Sequence, residues 1–163
     1  NPIGVLANSP DFNWHMTNLR NYIELSTIQE EMANWGDVKL TPFGQGGGLS
    51  LLPGGYTSPE RFARVSFLKT HIKPPENRTE AIINCFYILG SVFIPKGLVL
   101  TSKGTYDYTI YTMFINTNTC EYFFRTHDNS QIAVVGLREN YNYGTQPRFL
   151  GGLSRPVKFE RYP

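Results

Sequence analysis

The chain has 163 residues, enough for one domain with a substantial core. Its 15 Lys and Arg nearly balance its 13 Asp and Glu, and the basic residues are scattered, which argues against a nucleic-acid surface. No apolar run approaches the ~20 residues that a membrane-spanning helix needs.

Residues 3–7 (Ile-Gly-Val-Leu-Ala) read as a short buried strand that ends at Asn8. Ser9-Pro10-Asp11 then predicts a helix start. The Ser9 hydroxyl would cap an orphan N–H, Pro10 would preset φ, and Asp11 would complement the helix dipole. Phe12, Met16, Leu19 and Ile23 recur at helical spacing, which carries the helix to about Tyr22. Residues 24–57 show no sustained period and hold seven glycines between Gly36 and Gly55. A stretch of that length and composition, with Thr41-Pro42-Phe43-Gly44-Gln45-Gly46 at its centre, is expected to be functional or to act as an interaction arm.

Ser58-Pro59-Glu60 repeats the helix-start pattern, with Ser58 as the expected cap. A second helix follows from Pro59 to about His71, with Phe62, Val65 and Leu68 on one stripe and Pro74-Pro75 beyond its end. A third is predicted from a Thr79 cap to about Ser91, turning Ile82, Phe86 and Leu89 inward. Asn77-Arg78-Thr79 matches the N-glycosylation pattern, but Thr79 is assigned to the cap.

After Pro95-Lys96-Gly97 the period changes to that of strands. Leu98–Leu100, Tyr106–Ile115, Cys120–His127 and Gln131–Leu137 are separated by turn residues, predicting an antiparallel meander of three or four strands. The tail from Asn140 has no clear period and is expected to wrap the surface. The chain therefore reads as α+β, with helices on one face of an antiparallel sheet. Tyr111, Met113 and Ile115 alternate with Ile110 and Phe114, so both faces of the sheet are apolar and a second layer is expected. Nothing left in the chain supplies that layer; an N-terminal half would. The chain also begins at Asn1 without an initiator methionine, in what reads as the run-in to a strand.

Candidate chemistry is narrow. His15, His71 and His127 are isolated, and no Gly-x-Ser-x-Gly elbow is present. His15, beside Trp14, is expected to make a core or rim hydrogen bond. No Cys-x-x-Cys, His-x-x-x-His or phosphate-binding glycine motif occurs, so neither metal nor cofactor is called for. Cys85 and Cys120 lie in structural runs and are read as reduced, in keeping with a cytoplasmic protein. Two residues stand out beside the helix starts. Asn8 directly precedes the first, and Arg61 lies in the first turn of the second, where a cation opposes the dipole by ~0.3–1 kcal/mol. Arg64, one turn on, is the alternative to Arg61.

The segment Val5-Leu6-Ala7-Asn8-Ser9-Pro10-Asp11-Phe12-Asn13-Trp14-His15 resembles the strand–helix segment of the choloylglycine hydrolase family, the penicillin V acylases and conjugated bile salt hydrolases. Leu40-Thr41-Pro42-Phe43-Gly44-Gln45-Gly46 and Gly55-Tyr56-Thr57-Ser58-Pro59-Glu60-Arg61-Phe62 resemble its next two signatures, in the right order. Ile94-Pro95-Lys96-Gly97 and Tyr108–Thr112 resemble the approach to its last strands. The likeness covers residues 1 to about 137 and corresponds to roughly the second half of a family member; Ala7 departs from the family's usual threonine.

The resemblance implies an N-terminal-nucleophile αββα sandwich, of which this chain supplies about half. It implies amide hydrolysis by an N-terminal cysteine whose own α-amino group is the base. Asn8 would then match the asparagine that helps bind the oxyanion, and Arg61 the arginine beside the nucleophile. The cysteine, aspartate and first arginine expected near the family's N-terminus have no counterpart here. Residues 1–163 therefore read as the C-terminal portion of a single domain, with the missing N-terminal part as partner and no activity alone. The wording around Thr41–Gly46 leans toward penicillin V as substrate, with conjugated bile acids as the alternative; a catalytically silent binding or assembly module is a third reading. The arm around 24–55 resembles the segment through which family members form homotetramers.

Overall fold

The computed structural model describes residues 1–138, 146 and 149–162. The chain forms two compact units, Asn1–Glu76 and Asn77–Pro163.

The first unit opens with irregular chain where a strand was expected. A strand needs free carbonyls and a neighbour to complete its ladder, and here side chains have taken those carbonyls. Lys69 Nζ donates to the Ile3 and Gly4 oxygens at 2.7 and 3.1 Å, and Asn1 Nδ2 donates to that of Val5 at 2.7 Å. Val5 is buried, while Leu6 is 78% exposed.

Helix α1 (Phe12–Asn18) follows and tightens into a 3₁₀ turn at Leu19–Tyr22. Its cap is Asp11, whose carboxylate accepts the Trp14 N–H at 3.1 Å. Ser9 does not fill the predicted role, since it lies two residues ahead of that cap, and the Ser9–Pro10 peptide is cis.

The stretch read as patternless contains a hairpin, β1 (Ala33–Trp35) with β2 (Val38–Leu40), paired antiparallel from Ala33↔Leu40 to Trp35↔Val38. Its Gly36-Asp37 turn uses a positive φ of 60° at Gly36, the conformation that tight hairpins assign to glycine. Every hairpin residue is exposed, Trp35 to 76%. The glycine-dense loop beyond it is pinned. Gly47 N–H donates to Gln29 Oε1 at 2.8 Å, and Ser26 N–H donates to the Gly48 carbonyl at 3.0 Å. A Cβ on Gly48 would fall 2.5 Å from the Ser26 oxygen, so glycine there serves close approach of two backbones.

Helix α2 (Ser58–His71) begins at its predicted cap, one residue earlier than expected. Thr57 is the N-cap in a reciprocal capping box with Glu60, and Ser58 and Pro59 are the first two helical residues. The Glu60 carboxylate accepts the Thr57 hydroxyl at 2.6 Å, a bond that holds it below the ordinary carboxylate range. Phe62, 2% exposed, joins α2 to α1 by stacking on His15 at 4.3 Å between centroids and meeting Phe12 edge-on.

In the second unit helix α3 (Arg78–Gly90) is capped by Asn77, whose Oδ1 accepts the Glu80 N–H at 3.0 Å; Thr79 lies inside the helix. Strands β3 (Val99–Leu100) and β4 (Tyr106–Asp107) form a separate ribbon. Strands β5 (Tyr111–Asn116), β6 (Glu121–Thr126) and β7 (Asn129–Gly136) form the expected meander, in that order. Alternation sends Phe114 and Phe123 to the face beneath α3, where Phe86 meets Phe114 at 5.1 Å and Phe114 stacks on Phe123 at 4.9 Å. The opposite face is divided. Tyr111 and Ile115 are exposed, whereas Phe124 is buried beneath the Arg155 guanidinium. Asn129 Nδ2 donates to the Arg155 oxygen at 3.1 Å and Gln131 Nε2 to that of Lys158 at 3.2 Å. The tail thus lies on the sheet as expected, although its first residues, including Asn140, are outside the described residues.

Candidate active site

Asn8 ends the segment whose carbonyls Lys69 holds, immediately before the turn into α1. Its Oδ1 accepts the hydroxyl of Ser58 at 3.1 Å. That bond fixes the amide's orientation, because an oxygen committed to Ser58 leaves the Nδ2 hydrogens as the outward donors. Asn8 is one of the residues lining a depression of ≈ 390 Å³, formed by Leu6–Phe12 and His15.

Ser58 links Asn8 to α2. Residues three apart on a helix share a face, so Ser58 and Arg61 lie on one side of the first turn of α2. Arg61 is half-buried, and its Nε is buried without a hydrogen-bond partner. Arg64, one turn further, is differently placed. It is 6% exposed, and its guanidinium donates to the carbonyls of Pro53 and Gly55, the latter at 3.0 Å. Desolvation pulls its pKa down, and the Glu60 carboxylate acts in the opposite direction. A Cβ on Gly55 would sit 2.2 Å from the Glu60 oxygens, so a side chain there would push the Glu60 carboxylate aside. Arg64 thus holds the 53–55 loop onto α2, although its Nε, like that of Arg61, is buried without a partner.

The hydrogen bond to Ser58 brings Asn8 to the helix start that bears Arg61. The sequence alone did not indicate Ser58 as the link, because it was read as a cap. His15 was expected to be hydrogen-bonded; it is 1% exposed and neither ring nitrogen has a partner. Its spacing of three from Phe12 was the available signal, since that puts both on the buried stripe.

Cys85 and Cys120 are free and both belong to the second unit. Burial pushes the Cys85 thiol up, the wrong direction for a nucleophile. Among the described residues no group of three or more His, Cys, Asp or Glu is placed to hold a metal ion. No described helix is long and apolar enough to cross a membrane.

Comparison with known proteins identifies the family. Residues 1–144 match the linear amide C–N hydrolases of the choloylglycine hydrolase family. A bile salt hydrolase/transferase of Lactiplantibacillus plantarum is 37% identical over 86% of this chain and 44% of its own length. The crystal structure of a cysteine-to-alanine mutant of conjugated bile acid hydrolase from Clostridium perfringens superposes with a TM-score of 0.87 at 32% identity, over 99% of this chain and 49% of that one. Penicillin V acylase from Agrobacterium tumefaciens shares the fold at a TM-score of 0.62 and 21% identity, over 85% of this chain and 37% of that one. The chain belongs to the choloylglycine hydrolase family, and its fold is that of the N-terminal-nucleophile hydrolases. It spans somewhat under half the length of the relatives it matches.

Proposed function

We propose that this chain is the C-terminal part of an amidase that cleaves the linear C–N bond of glycine- or taurine-conjugated bile acids or close analogues, both units belonging to one catalytic domain. The observation that supports the reading is the Asn8–Ser58 bond, which ties a pocket-lining amide to the helix start that bears Arg61 and leaves its N–H₂ free to donate. An N-terminal cysteine supplied by the rest of the protein would attack the amide carbon. Asn8 Nδ2 donates to the oxygen as it becomes an oxyanion, an interaction worth ~2.7–4 kcal/mol when pre-aimed. The C–N bond breaks, the amine leaves with a proton from the cysteine's α-amino group, and water hydrolyses the thioester. Arg61 favours thiolate over thiol by placing a positive charge beside the sulfur.

The bile acid reading is favoured over penicillin V because relatives at 33–37% identity bear bile salt hydrolase or conjugated bile acid hydrolase names. The likeness to penicillin V acylase, at 21%, concerns fold alone. Assembly as a homotetramer through the 24–55 arm is part of the same proposal, supported by the exposure of Trp35, Val38 and Phe43. The test is hydrolysis of glycocholate and penicillin V side by side by the full-length protein. Faster turnover of glycocholate is expected; faster turnover of penicillin V would reverse the substrate order, and no turnover of either would refute the amidase.

A further inference from the structure

Buried side-chain groups without partners mark where a fold expects something else, and His15 is the clearest case. It is 1% exposed, sandwiched between Phe62, stacked at 4.3 Å, and Trp14, edge-on at 5.6 Å. Neither ring nitrogen has a hydrogen-bond partner. An imidazole presents at least one N–H donor in any form, and leaving such a group buried and unmade costs about 1–3 kcal/mol. A phenylalanine would fill the same space without that cost. The position nonetheless holds histidine, and the residue lines the same depression as Asn8.

We infer that His15 is a positioning residue of the Asn8 pocket, its ring N–H donating to a carbonyl or carboxylate oxygen that this chain does not itself provide. The inference rests on the pocket proposed above as the reaction site and adds a second donor to it. An oxygen acceptor is the fitting chemistry. The Asn8 N–H₂ and the Ser9 hydroxyl beside it are donors or donor-capable, and the Asp11 carboxylate, one of whose oxygens accepts the Trp14 N–H, makes no bond to the His15 ring. The acceptor has two sources, the substrate or the part of the protein that completes the domain. The stack on Phe62 leaves the ring little freedom to turn, which sets the direction of the bond.

The two sources and a purely structural role give different results in the full-length protein. His15→Phe keeps the stack and removes the donor, whereas His15→Gln and His15→Asn keep an N–H near each ring nitrogen position. If the substrate supplies the oxygen, His15→Phe raises KM for glycocholate about tenfold, with the melting temperature unchanged, and one amide variant restores much of the loss. If the completing segment supplies it, His15→Phe lowers the melting temperature with KM unchanged, and again one amide variant recovers it. A His15→Phe protein as stable as the parent or more so, with KM and kcat unaltered, overturns the inference. Asn8→Ala measured alongside separates the levels: loss of turnover there with a neutral His15→Phe would sink this inference and spare the reaction site, whereas a neutral Asn8→Ala would sink the site itself.

Discussion

The two compact units differ in what they leave unfinished. In Asn1–Glu76 the buried atoms without a hydrogen-bond partner are His15 Nδ1 and Nε2, Arg61 Nε, Arg64 Nε and Ser66 Oγ. Among the described residues of the second unit there is none. There Arg78 grips both Glu121 oxygens at 2.7 and 2.6 Å, and Arg125 donates to the Phe86 carbonyl at 3.2 Å while lying over its ring. Exposed apolar side chains occur in both units, at Trp35 and Phe43 in the first and at Tyr111 and Ile115 in the second. Since buried unpaired polar groups cost ~1–3 kcal/mol each, a fold keeps them where they are used. The contrast agrees with the proposed reaction site, which lies in the first unit.

That contrast can be broken by substitution. Phe62→Ala should have the largest effect on stability, about 3–5 kcal/mol, because Phe62 carries the packing of α1 on α2; thermal or denaturant unfolding would show it. Arg64→Ala comes next, at about 1.5–3 kcal/mol from charged hydrogen bonds, since it releases the Pro53 and Gly55 carbonyls. Arg61→Ala should barely change stability but raise the pH at which the active-site thiol is alkylated. Should Arg64 govern that reactivity instead, the division of labour between the two arginines is wrong.

Among the substitutions expected to lower stability, Thr57→Ala is the mildest, about 0.5–2 kcal/mol for loss of a cap. Its pH dependence has a definite sign. The Thr57 hydroxyl depresses the Glu60 pKa, so the stabilisation is fully present above the unfolded value and is lost as pH falls through the lower, folded one. The difference between parent and Thr57→Ala in denaturant midpoint should therefore shrink on acidification below the ordinary carboxylate range. A gap that widens there would contradict the capping box.

Much of this was legible because local signals and final environment agree. The stripe Phe62, Val65, Leu68 set α2, and the alternation around Phe114 and Phe123 set the meander. The failures have physical causes. Residues 3–7 have strand composition, but their carbonyls are bound by Lys69 and Asn1. The β1–β2 hairpin is exposed throughout, so no core imposes a period on it, and only the Gly36-Asp37 turn betrays it. The caps slipped by one or two residues because Asp11, Thr57 and Asn77 compete with neighbouring hydroxyls for the same orphan N–H groups. At the site, Asn8 and Arg61 were visible as residues a helix start does not need. Their link through Ser58 spans 50 positions in sequence and has no local signature.

The central claim is that the Asn8 amide donates to an oxyanion in the pocket it lines. The most direct measurement is kcat of Asn8→Ala against the parent in the full-length protein, with glycocholate as substrate and thermal unfolding as control. A fall of about 10²–10³ in kcat with an unchanged melting temperature is the predicted result; a kcat within a few-fold of the parent would contradict it.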